Sequence, residues 1–111
     1  MTSLAVVGSR SFSDARKLAE VLSGLAPTKV ISGGAKGADS LAETWARRND
    51  IPTQIFLPKH KVYRHPYHHR NRLIAEACDH LIAFWDGHST GTKYTIDYAR
   101  RIGKPVTIVR F

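Results

Sequence analysis

Three short apolar runs in this chain each end in a loop of small residues and then give way to a helix-like pattern. Residues 4–7 run into Gly8-Ser9-Arg10, and Val30-Ile31 runs into Ser32-Gly33-Gly34-Ala35-Lys36-Gly37-Ala38-Asp39. Residues 81–84 run into Trp85-Asp86-Gly87-His88-Ser89-Thr90-Gly91-Thr92. A strand that turns through glycine into a helix directs backbone N–H groups and the positive end of a helix dipole at one place. Three such units in one small domain predict a composite anion pocket, suited to a nucleotide or another phosphorylated ligand.

Repetition of the same unit sets the fold class. The patterns predict strands over 4–8, 29–32, 51–57, 79–85 and 106–109, and helices over 14–25, 38–49, 67–77 and 90–102. The first helix carries Leu18, Val21, Leu22 and Leu25 on one face, with Ser13 as its expected N-cap and Pro27 after its end. The second carries Leu41, Ala42, Trp45 and Ala46, and the last carries Ile96, Tyr98 and Ala99, with Gly103 as C-cap. Strands separated by helices imply a doubly wound, Rossmann-like α/β domain, a five-stranded and mainly parallel sheet with helices on both faces. Right-handed crossovers allow the order 3-2-1-4-5, which makes strands one and four neighbours where the chain reverses direction. Ligands of such sheets bind beyond the carboxyl ends of the strands at that switch point.

With 111 residues the chain is read as one domain, residues 1–111, large enough to fold without disulfides or metal. No apolar stretch approaches the ~18 residues that span a bilayer, and Met1-Thr2-Ser3 leads straight into a strand, so neither a membrane partner nor a signal peptide is expected. The single cysteine, Cys78, has no disulfide partner and reads as a buried, inert thiol, which places the chain in the cytoplasm. Seventeen Lys and Arg against nine Asp and Glu give a net charge of +8. That calls for an anionic partner or for nothing more than a soluble basic surface.

The loops divide the expected roles. Gly8 permits close approach of backbone to ligand or simply the strand-to-helix turn, and Arg10 would clamp a phosphate or carboxylate. Gly33, Gly34 and Gly37, with Lys36 among them, are costly to order, and a phosphate lying against the backbone is a reason to tolerate that cost. Their spacing matches neither the P-loop nor G-x-G-x-x-G. Asp39 would cap the second helix or bond a ribose hydroxyl. In the third loop Gly87 and Gly91 flank the hydroxyls of Ser89, Thr90 and Thr92 where the last helix begins. Trp85 would stack on a base or lie in a core or interface, and Asp86 stands beside it. The stretch 59–72 holds Lys59, Lys61, Arg64, Arg70 and Arg72, no acid, and the rings of Tyr63, His65, Tyr67, His68 and His69. Such a mixture fits single-stranded nucleic acid, the base and diphosphate of a nucleotide, or a solvated basic loop. The histidines have no Cys or acidic residue near them in sequence, so no metal is expected.

These residues resemble a family. Val7-Gly8-Ser9-Arg10, the 31–39 loop, Arg70-Asn71, and 81–87 followed by Ser89-Thr90-Gly91-Thr92 are similar to the YspA-like branch of the SLOG superfamily, over residues 4–109. The resemblance implies a Rossmann-like fold, a ligand related to NAD, ADP-ribose or a nucleoside monophosphate, and a homo-oligomer. Relatives include the cytokinin-activating phosphoribohydrolases and the single-stranded-DNA-binding DNA-processing protein A family. The phosphoribohydrolases carry an Arg-Lys pair, matched here in part by Arg70-Asn71, and a P-G-G-x-G-T-x-x-E loop. Thr95 stands where that catalytic glutamate belongs, and its hydroxyl cannot serve as an acid or base at neutral pH.

The leading expectation is therefore a module that binds or senses a nucleotide-type ligand. Gly8, Ser9, Arg10, Gly33, Gly34, Lys36, Gly37, Gly87, Ser89, Gly91 and Thr92 would cradle phosphate, Arg70 would clamp it, and Asn71, Asp39 and Trp85 would contact ribose or base. A nucleotide-cleaving hydrolase with Asp86 or Asp39 as its acid–base group is the first alternative. Single-stranded nucleic-acid binding is the second.

Overall fold

The computed structural model describes residues 2–111, so Met1 lies outside the described region. The elements alternate throughout: β1 (Ser3–Gly8), α1 (Ala15–Leu25), β2 (Lys29–Ser32), α2 (Ala38–Arg48), β3 (Thr53–Ile55), α3 (Pro66–Ala77), β4 (His80–Trp85), α4 (Thr90–Arg101) and β5 (Val106–Arg110). The sheet has the order β3-β2-β1-β4-β5, and every pairing is parallel. The expected α/β architecture and strand order are both realised.

Alternation along the two central strands divides the core into two halves. Leu4, Val6, Ile82 and Phe84 turn to one face, where they meet Leu18 and Leu22 of α1 and Ala42 and Ala46 of α2. Ala5, Val7, Leu81 and Ala83 turn to the other and meet Ile74 and Ala75 of α3 and Ile96 and Ala99 of α4. A strand buried on both faces must be apolar at successive positions, which is why these runs lack the polar alternation of a half-exposed strand. Cys78 is buried among the second set, and burial raises its thiol pKa.

Several boundaries differ from expectation for local reasons. Asp14, not Ser13, caps α1, its carboxylate accepting the Lys17 N–H at 3.0 Å. Pro66 occupies the first turn of α3, where its missing N–H costs nothing. The third strand contracts from 51–57 to Thr53–Ile55, because the ladder to β2 closes with Pro52 accepting from Val30 and Phe56 donating to Ser32. Leu57, beyond it, is 64% exposed. Trp45, expected in the core, is only half-buried against it. Among the described residues no helix is long and apolar enough to cross a membrane.

Candidate nucleotide-binding cleft

β1 and β4 pair in register from Leu4 with His80 to Gly8 with Phe84, so their carboxyl ends open side by side. The loops leaving β1, β2 and β4 meet there around a cleft of about 540 Å³. Its wall includes Gly8, Ser9, Arg10, Asp39, Arg70, Asn71, Asp86, Ser89, Gly91 and Thr92, all singled out from the sequence.

The first loop is tied to the fourth strand. Ser9 donates its N–H to the Phe84 carbonyl at 2.9 Å, and its hydroxyl accepts the Asp86 N–H at 3.2 Å. Gly8 is obligatory for packing, since a Cβ there would lie 2.6 Å from both the Ala38 side chain and the Phe84 carbonyl oxygen. Arg10 is exposed beside the cleft, its charge available to an anion.

The glycine loop after β2 has a different construction. Gly34 and Gly37 adopt φ of +71° and +82°, a backbone region that favours glycine. A Cβ on Gly33 would overlap the Arg70 guanidinium, one on Gly34 would meet Leu57, and one on Gly37 would lie 2.5 Å from the Ser9 carbonyl oxygen. These glycines therefore face protein, and neither they nor Lys36, which points to solvent, line the cleft. Ala35 alone of the loop does so.

Asp39 lies one residue inside α2 and does not cap it: Gly37 is the N-cap, without a side-chain bond. The Asp39 carboxylate instead reaches back to accept the Gly33 N–H at 2.9 Å and, more weakly, the Ala35 N–H at 3.4 Å. Burial pushes its pKa up to about 6, against the opposing pull of those N–H groups and of Arg70. Arg70 is itself only 8% exposed; its Nη1 donates to the Gly33 carbonyl and its Nε to Asn71 Oδ1. Desolvation lowers its pKa from the ordinary value, with Asp39 and Tyr67 working the other way. A guanidinium has five N–H groups, so this anchoring leaves donors for the cleft.

The third loop closes on itself through Asp86. One carboxylate oxygen accepts the N–H groups of His88 and Ser89, each at 2.8 Å, and these bonds hold the Asp86 pKa below the usual carboxylate range. Ser89 then caps α4, its hydroxyl accepting the Thr92 N–H and meeting the Thr92 hydroxyl at 3.1 Å. The N–H groups of Thr90 and Gly91 precede the first intrahelical bond and have no acceptor within the helix. Gly91 has open space where a Cβ would stand. Thr95 is buried on the same helix and returns its hydroxyl to the Gly91 carbonyl at 3.0 Å.

Two further expected contributors lie elsewhere. Trp85 donates its indole N–H to the Ser89 carbonyl and sits beneath the Arg110 guanidinium, packed on the core. Gly87, with φ of +87°, leaves room for that same guanidinium. Conversely Tyr67, Ser11, Val7, Ala35 and Thr95 line the cleft without having been assigned to it from the sequence. Tyr67 was detectable: it precedes Arg70 and Asn71 by three and four residues, the spacing of one helical face. Among the described residues no group of three His, Cys, Asp or Glu side chains is placed to hold a metal ion.

Comparison with known proteins bears on the family and the fold. The family model described as "YspA, cpYpsA-related SLOG family" matches residues 2–63. No curated protein matches the chain. Among solved structures, DNA processing protein A from Streptococcus pneumoniae superposes with a TM-score of 0.84 at 24% identity, over 98% of this chain and 50% of that one. The protein TM1055 gives 0.74 at 21% identity, over 96% of this chain and 72% of its own. DNA processing protein A from Helicobacter pylori, whose structure concerns its single-stranded DNA binding mode, gives 0.74 at 20% identity, over 96% and 64%. At these identities the likeness is one of fold. The chain spans about half the length of the Streptococcus protein.

Proposed function

This chain belongs to the YspA, cpYpsA-related SLOG family, and on that premise we propose that its cleft binds a nucleotide or nucleotide-derived phosphorylated ligand, of the NAD or ADP-ribose type. One observation carries the reading: the amino end of α4, with N–H groups unused by the helix and the Ser89 and Thr92 hydroxyls beside them, opens into the same cleft as Arg10 and Arg70. Helix dipole, backbone donors and guanidinium groups then converge on one anion. Asn71 and Tyr67 stand where a ribose or base would lie against them.

Binding without bond cleavage is the favoured activity. By the family resemblance Thr95 stands where the phosphoribohydrolases carry their glutamate, and its hydroxyl is engaged with the Gly91 carbonyl. Asp86 is held in its ionised form by two N–H groups, which makes it a poor proton donor at neutral pH.

A thermal-shift series with nucleoside monophosphates, NAD and ADP-ribose tests the proposal. A ligand at ~100 times its dissociation constant adds about 2.7 kcal/mol, a rise of several degrees for a domain of this size. The rise should disappear in Arg10→Ala. Absence of any shift with all of these ligands would refute the reading. Chromatography of the same mixtures should show no product; a product that vanishes in Asp39→Asn would establish a hydrolase instead.

A further inference from the structure

Outside the cleft, four rings form a row that crosses from α3 to α4. His65, just before α3, stacks on His68 with centroids 5.7 Å apart and planes at 24°. His68 stacks on Tyr94 of α4 at 4.2 Å and 14°, and Tyr94 lies within 12° of parallel to Tyr98 at 6.5 Å. The Arg101 guanidinium covers the Tyr98 ring at 5.3 Å, and Arg72 donates to the Tyr94 hydroxyl at 3.0 Å. None of these rings lines the cleft. His65 and His68 are exposed, and both tyrosines are half-buried. Beside the row, Tyr63 stacks on His69 at 3.7 Å and 19°, folding the 59–65 loop and its cations Lys59, Lys61 and Arg64 against α3. The acids nearby are already engaged: Glu76 accepts the Tyr98 hydroxyl, and Asp97 pairs with Lys93 at 2.7 Å.

We propose that this α3–α4 face binds single-stranded nucleic acid, its bases stacking on the His65–His68–Tyr94–Tyr98 row and its phosphates meeting Arg64, Arg72 and Arg101. The near-parallel rings form a stack that a base can extend from its exposed His65–His68 end, and the guanidinium groups beside the row match the charge of a backbone. A duplex hides its base faces within the stack, so the row selects a strand whose bases are free. The net charge of +8 favours the same partner. The proposal does not depend on what occupies the cleft.

Fluorescence anisotropy with labelled oligothymidylate and oligouridylate, across a potassium chloride series, tests it. Wild-type protein should bind at least one of them, with affinity falling steeply as salt rises. His68→Ala and Tyr94→Ala should each weaken binding roughly tenfold, the loss of about one stacked base. His68→Phe and Tyr94→Phe keep a π-face and should retain affinity, which separates stacking from a failure to fold. The alanine variants should keep their response to the cleft ligand, and Arg10→Ala should keep its affinity for the strand. Four results would each overturn the proposal. One is no binding to either oligonucleotide, and another is binding lost in Arg10→Ala but untouched by the ring exchanges. The third is equal affinity for duplex. The fourth is a wild-type dimer, seen by sedimentation, that Tyr94→Ala dissociates.

Discussion

In the loop between β2 and α2 every glycine faces protein: Gly33 the Arg70 guanidinium, Gly34 the Leu57 side chain, Gly37 the carbonyls of Ser9 and Arg10. Past the loop between β4 and α4, whose own Gly87 faces the Arg110 guanidinium, Gly91 in the first turn of α4 faces open space, and its helical backbone would accept any residue. The first loop spends its glycines on closeness within the fold, which fixes Arg70 and Asp39 against each other's surroundings. The start of α4 leaves its small residue toward the cleft. The difference teaches that a glycine-rich loop beside a pocket can be scaffolding, while a single glycine at a helix start can be the point of approach for a ligand.

Substitutions sharpen or break this contrast. Gly37→Ala should cost the most, on the order of 4 kcal/mol, because a Cβ would combine an unfavourable left-handed backbone with overlap of the Ser9 carbonyl. Urea denaturation measures it, and a loss under about 1 kcal/mol would make the loop less closed than described. Arg70→Met should cost about 3 kcal/mol at neutral pH, by removing its hydrogen bonds to the Gly33 carbonyl and Asn71 Oδ1 and the nearby charge that favours the Asp39 carboxylate. It should also abolish the nucleotide-induced thermal shift. A carboxyl titration followed by NMR would then place the Asp39 pKa above its wild-type value of about 6.

Acid should act through Asp39 in an unusual direction. Its pKa rises from an ordinary 3.8 to about 6 on folding, so the folded chain holds the proton more tightly than the unfolded one. This group's contribution to stability therefore falls as pH rises from 3.8 to about 6 and is level above that, a change of about 3 kcal/mol. Comparing wild type with Asp39→Asn across that window isolates the effect, and parallel curves would contradict it. A bound anion raises the same pKa further, so NAD, whose phosphates do not titrate there, should bind more tightly below pH 6 than above it.

The smallest expected change is the most discriminating. Gly91→Ala should add about 0.5–1 kcal/mol of stability, the ordinary preference for alanine over glycine in a helix. It should also weaken the cleft ligand, by about fivefold for the loss of roughly one backbone contact. Stability gained with affinity unchanged would move the ligand away from α4.

Much of the fold was legible because it rests on local patterns. Apolar runs of strand length between helical stripes identified every element, and the order was inferred from the fold class, crossover handedness only narrowing the choices. What failed was finer. Ser13 and Asp14 are adjacent and both able to cap, and only the finished turn shows which oxygen reaches the Lys17 N–H. For the cleft, Arg10, Asp86 and Ser89 were found because charged or polar groups at strand ends are visible in sequence, and Arg70 because the Arg70-Asn71 pair belongs to the family resemblance. The role of Gly33 was not, since the group that fills its missing side chain is Arg70, supplied by another helix. Trp85 was left between a base contact and a place in the core or an interface, because its position at a strand mouth says nothing of Arg110 above it. The ring row was invisible for the same reason, since His68 and Tyr94 meet only through the rotation of two packed helices.

The pairing of β1 with β4 also has a consequence in time. Leu4 sits beside His80, so the two strands that floor the cleft are joined across most of the sequence, with α1, β2, α2, β3 and α3 between them. A folding chain can settle the turn around Gly37 against Ser9 early, from neighbouring segments. It cannot bring the α4 helix end to that turn until the distant strand has docked. Loop closure of that span is slow compared with helix formation, so competence to hold an anion should appear in the last kinetic phase of refolding, after most of the helical signal has returned.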